Sequence, residues 1–117
     1  MTMLLDGHGK EMPNCGELYR VKEKKRRDPW LSNFPRREQE KWLSRGNEVW
    51  ASPGGCHEIA QGELVMVVSI GWKDVGDMQY GAEKQWRIEV LHGERVFKTT
   101  AWNRKTWDAK WERVNDD

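Results

Sequence analysis

The run Gly-Glu-Leu-Val-Met-Val-Val-Ser-Ile-Gly at 62–71 limits the folds open to this chain more than any other stretch. Three valines, an isoleucine, a leucine and a methionine lie between two glycines, a pattern that predicts a central strand. Strand side chains alternate, so Leu64, Met66, Val68 and Ile70 face one side and Val65, Val67 and Ser69 the other. Both faces are then expected to be covered or nearly so, and the rest of the chain must supply the cover.

A chain of 117 residues, 33% of them charged, has a modest stock of apolar side chains for that purpose, and one domain is the expectation at this length. Eight tryptophans enlarge the stock, because each indole buries the area of several aliphatic groups, and they predict an aromatic core. Net charge is only +1 but unevenly spread. Residues 20–45 hold ten Lys and Arg against four acids, whereas the remainder holds ten against fifteen. Cys15 and Cys56 have no metal-ligand spacing and read as free or buried thiols of a reducing compartment, so neither a metal nor a cofactor is expected. The opening Met-Thr-Met-Leu-Leu-Asp has too short an apolar run for a signal peptide and lacks its basic n-region, and no window reaches membrane-spanning length. The expected location is the cytoplasm or a virion, with no membrane partner.

Along the chain, residues 1–15 show little periodicity and read as a flexible N-terminal arm. Residues 17–22 alternate, with Tyr19 and Val21 on one face, and predict a first strand that ends in the basic run at 22–27. Pro35 and Gly46 bracket a helix whose apolar patch is Trp42 and Leu43, and 47–51 predict a short strand. Residues 72–84, with two glycines and two aspartates, read as a loop. A hairpin follows, 85–91 returning as 94–102 through a turn at His92-Gly93. Residues 103–110 predict a short helical turn and 111–114 a last strand.

This order, with the Gly-Glu-Leu-Val-Met-Val-Val entry at 62–68 after a polar loop and Trp111-Glu112-Arg113-Val114 after a short helical turn, resembles the SH3-like small β-barrels. The resemblance implies a mainly β fold of five antiparallel strands spanning 16–117, with a helical insertion in the first loop at about 28–56. It does not extend to the peptide-binding tyrosines and paired tryptophans of signalling SH3 domains, so no peptide-binding residues follow from it. The alternative architecture is α+β, an antiparallel sheet crossed by one helix. The Trp-rich, charge-dense build is also similar to that of small bacteriophage or bacterial accessory proteins.

Catalysis finds little support in the residues. His8, His57 and His92 fall in an arm and two turns, there is no nucleophile elbow or phosphate-binding loop, and the sequence reads as non-enzymatic. Two features suit binding. Lys22, Lys24, Lys25, Arg26 and Arg27, extended by Arg36, Arg37 and Lys41 on the helix, form a basic surface beside Trp30 and Trp42. Trp107 and Trp111, four residues apart, form a second, aromatic end surrounded by acids. The leading expectation is an adaptor that contacts a protein partner through the basic insertion and a Trp-rich surface. The alternatives are single-stranded nucleic acid, RNA or DNA, on the same segment, and head-to-tail self-association of a small viral structural component into a homo-oligomer.

Overall fold

The computed structural model describes residues 4–51, 54–77 and 81–114. In chain order it contains β1 (Leu18–Val21), a 3₁₀ helix (Pro29–Asn33), α1 (Arg36–Ser44), β2 (Asn47–Trp50), β3 (Cys56–Ile59), β4 (Leu64–Asp77), β5 (Gly81–His92), β6 (Arg95–Ala101), α2 (Arg104–Lys110) and β7 (Trp111–Arg113). Every strand pairing is antiparallel, and the strands form one curled sheet in the order β3-β2-β6-β5-β4-β1-β7. The sheet thus has seven strands where the sequence led us to expect five. The extra pair, β2 and β3, comes from the insertion and its neighbouring turn, and joins the sheet where Trp50 pairs with Lys98 of β6. Among the described residues no helix is long and apolar enough to cross a membrane.

The run at 62–71 opens β4, an interior strand between β5 and β1, but only one of its faces is sealed. Val65 and Val67 are buried, while Leu64 on the other face is 51% exposed. The alternation also changes phase. Val67 pairs with Val90 and Ser69 with Glu89, leaving Val68 as a bulge, so that Ile70 lies opposite Ile88 and packs against the core. A second departure is the stretch expected as a loop: 72–77 continue β4 and 81–84 begin β5, in register from Trp72↔Trp86 to Asp77↔Gly81. Glycine and charged residues leave this hairpin without the apolar stripe that a periodicity test looks for.

The core lies under β1, β4, β5 and β6, built by Tyr19, Val21, Val65, Val67, Trp86, Ile88, Val90 and Phe97. The β5–β6 turn falls at Gly93-Glu94, one residue later than expected, with Gly93 at φ 62° and His92 pairing Arg95. Asn103 caps α2 through its side chain, which accepts the Thr106 amide at 2.9 Å, while Thr106 Oγ1 accepts the Asn103 amide at 3.0 Å. The capped helix lays Trp107 on Tyr19, ring centroids 5.2 Å apart and nearly perpendicular, and Trp111 stacks on Trp107 at 5.2 Å.

The stretch read as an N-terminal arm is tied down over its described part. Leu5 bridges Glu11, the Met12 amide donates to the Leu4 carbonyl at 2.8 Å, and Met12 is fully buried in the core. Asp6 holds the loop together, accepting the amides of His8 and Lys10 on Oδ1 and that of Arg104 on Oδ2.

Candidate functional site

Backbone pairing at the end of β1 sets the position of the basic surface. The Lys22 amide donates to the Lys110 carbonyl at 3.0 Å, and Gly62 donates to the Val21 carbonyl at 2.9 Å, so the chain leaves the sheet between α2 and the start of β4. From there Lys24 meets α1 through a single side chain. Gln61 Oε1 accepts the Lys24 amide at 3.0 Å, and Gln61 Nε2 donates to the carbonyls of Leu43 and Arg45, closing the C-terminal end of α1. Asn47 Nδ2 donates to the Lys110 carbonyl at 2.8 Å and fixes the opposite wall.

The result is a pair of adjoining grooves. One, of about 760 Å³, is lined by Lys24, Trp42, Arg45, Glu58 and Lys110 among others; its neighbour, of about 340 Å³, adds Lys22, Lys25 and Asp28. Lys24 Nζ stands over the Trp42 ring, 4.9 Å from its centroid. Burial foremost, then the charge of Arg45 and more weakly that of Lys110, lower the Lys24 pKa from its ordinary value, with Glu58 pulling the other way. Cations from three separate segments therefore crowd one aromatic wall. Acids are interspersed: Glu23, Asp28, Glu48 and Glu58 line the same grooves, and Glu58 is engaged in accepting the Gly46 amide at 2.7 Å.

Of the residues singled out from sequence, Lys22, Lys24, Lys25 and Trp42 come together here. Trp30 stands behind them, edge-on to Trp42 at 4.6 Å and to Phe34 at 5.6 Å. Trp30 and Phe34 are 44% and 47% exposed and lie outside the main core cluster. Arg26, Arg27, Arg36, Arg37 and Lys41 line neither groove. Arg26 is held by Glu40 at 2.6 Å and Lys41 lies 3.9 Å from Glu38, both on the solvated side. Trp107 and Trp111 belong to no surface: at 1% and 2% exposure they close the core, Trp107 edge-on to Tyr19 and Trp111 stacked on Trp107. The expected aromatic contact end is corrected accordingly. Arg45, which the sequence places at the end of the same basic patch, does reach the groove, whereas Lys110 and Gln61 were not singled out from sequence; Lys110 comes from the far end of the chain, its carbonyl held by the Lys22 amide and Asn47 Nδ2.

Cys15 and Cys56 are both exposed free thiols, and among the described residues no three His, Cys, Asp or Glu side chains group as metal ligands would. Fold and groove together define a class, that of small all-antiparallel curled-sheet proteins with a mixed-charge, aromatic-walled cleft beside one end of the sheet. No protein-family model, no characterised protein and no solved structure matches this chain.

Proposed function

We propose that this protein is a non-enzymatic binding module of the SH3-like barrel type, which holds an acidic segment of a protein partner in the groove between Lys24, Trp42, Arg45 and Lys110. The barrel reading is supported by strand order: with β2 and β3 set aside, β7-β1-β4-β5-β6 is a meander whose last strand returns beside its first. The observation that carries the binding role is the convergence of Lys24, Arg45 and Lys110 on one groove, where burial first and the neighbouring cations second lower the Lys24 pKa. An incoming carboxylate relieves that crowding, and Trp42 offers an apolar face beside it.

The interspersed acids favour a protein over a polyphosphate chain. Glu23, Asp28, Glu48 and Glu58 would each face a continuous phosphodiester backbone, whereas a protein segment can match both signs. The test is fluorescence anisotropy of labelled Glu-rich peptides containing one aromatic residue, at low and physiological salt. Lys24→Glu and Arg45→Glu should each weaken binding about ten-fold or more while the far-UV circular dichroism stays unchanged. Reversing Lys24, Lys25, Arg26 and Arg27 together should abolish it, and unchanged affinity in that variant would sink the assignment.

A further inference from the structure

The outer face of the sheet carries a groove of about 450 Å³, apart from the basic insertion. Alternation fixes which side chains reach it. On β6 Lys98 and Thr100 alternate with buried Phe97 and Thr99, and on β5 Arg87 and Glu89 alternate with buried Trp86, Ile88 and Val90, so these four point away from the core. Trp50, next to buried Val49 on β2, joins them and is 46% exposed. The register then sets two parallel rows. One runs Trp50, Lys98, Glu89 across β2, β6 and β5; the other runs Thr100, Arg87, Gly71 across β6, β5 and β4. At about 4.8 Å between strands and about 3.4 Å per residue along them, the rows frame a field of about 10 by 7 Å. They differ in charge. Lys98 and Glu89 stand opposite each other and balance, whereas Arg87 faces only Thr100 and Gly71. Among the described residues no ion pair engages Lys98, Glu89 or Arg87.

We propose that this face binds a short saccharide carrying one carboxylate, as a sialyl or uronic acid unit does. The C–H face of a sugar ring stacks on the Trp50 indole, whose ring face is electron-rich. Sugar hydroxyls each donate and accept, so they need donors and acceptors side by side. Lys98 supplies only donors, Glu89 only acceptors, and Thr100 both. The carboxylate goes to Arg87, which has no acid opposite it and offers a bidentate fork. Gly71 leaves the floor beside Arg87 open, since even a Cβ there would meet nothing within 4 Å. A phosphodiester chain is matched less well, because it meets Glu89 and finds one indole where successive bases each need a platform. An apolar peptide would set its side chains on charged and hydroxyl groups. The site shares no lining residue with the groove at Lys24 and does not depend on what that groove holds.

The probes are sialyllactose and a glucuronosyl disaccharide, with lactose as the neutral match, titrated into the isotope-labelled full chain and followed by the NMR shifts of backbone amides and indole N–H groups. The acidic probes should bind with a Kd of about 1 mM and shift the signals of Trp50, Lys98, Arg87 and Gly71. Trp50→Ala should weaken every probe about ten-fold or more. Arg87→Met should weaken the acidic probes about ten-fold and bring them level with lactose, whose own affinity stays as it was. Gly71→Val, which suits an extended strand and fills the floor, should abolish binding with the far-UV circular dichroism unchanged. Reversal of Lys24, Lys25, Arg26 and Arg27 should leave saccharide binding intact. Binding of one acidic probe alone supports the proposal and names the acid. Absence of shifts at the highest probe concentration overturns it, as do lactose binding as tightly as the acidic probes, full affinity in Trp50→Ala, or oligothymidylate binding more tightly through the same residues.

Discussion

Gln61 Oε1 accepts the amide of Lys24 at 3.0 Å, and through this bond a residue just ahead of β4 sets where the basic segment leaves the sheet. The same side chain donates to the carbonyls of Leu43 and Arg45. Gln61→Ala removes an acceptor from one amide and a donor from two helix-end carbonyls at a half-buried position. The expected loss is about 1–3 kcal/mol by urea denaturation. Affinity for an acidic peptide should fall as well, because Lys24 and Arg45 are no longer held to a common point. A variant with parental stability and affinity would show that the backbone alone positions the groove.

The Asp6 carboxylate provides a pH signature. Burial taken alone raises its pKa, but the amides of Arg104, Lys10 and His8 together outweigh that and hold it below the ordinary aspartate value of 3.8. A depressed folded pKa means stability that is fully present above the unfolded value and is lost as pH falls through the folded one. Thermal melts should therefore show a loss beginning below about pH 4 that is blunted in Asp6→Asn. At neutral pH the same substitution should cost about 1–2 kcal/mol, since asparagine offers one acceptor oxygen where the three amides use two. An unchanged acid limb in the variant would assign acid sensitivity to other carboxylates.

Gly46, directly before β2, lies hard against the end of β3. A Cβ placed there would collide with the Ile59 carbonyl group and with the Ala60 backbone, neither of which is a side chain able to turn aside. Gly46→Ala should cost more than the gain of about 0.4–1 kcal/mol that such a replacement brings at an unhindered site, so the net change is destabilising. Gly71→Ala, where nothing lies within 4 Å, is the control and should be neutral or stabilising. Equal melting temperatures for the two variants would mean that Gly46 does not lie against the end of β3.

How far the sequence discloses this architecture depends on whether a feature is local. Val65 and Val67 reveal their strand because β-branched residues between glycines leave few alternatives, and Trp86, Ile88 and Val90 reveal β5 because they alternate with charges over a buried face. The 72–77 segment of β4 carries no such stripe although it is paired in register with β5, so composition pointed to a loop. The β2–β6 contact is invisible for another reason, since Trp50 and Lys98 lie far apart in sequence and nothing in either residue names the other. The candidate groove combines both cases. Lys24 and Trp42 stand in a legible basic stretch, while Lys110 is placed by a backbone bond to Lys22 that no local pattern encodes.

Tryptophan is the residue for which sequence and structure differ most, and the difference is measurable. Trp86, Trp107 and Trp111 are buried, whereas Trp30, Trp50, Trp72 and Trp102 are exposed, although all are indoles in similarly polar neighbourhoods of the chain. Iodide should quench the second group and spare the first. Trp111→Ala empties the space stacked against Trp107 and should cost about 3–5 kcal/mol, the range for deleting a buried aromatic side chain. Trp102→Ala, at 48% exposure, should change stability by no more than about 0.5 kcal/mol. Were the two substitutions to cost the same, α2 and β7 would not close the core, and the assignment of Trp107 and Trp111 to the interior instead of a binding surface would fail.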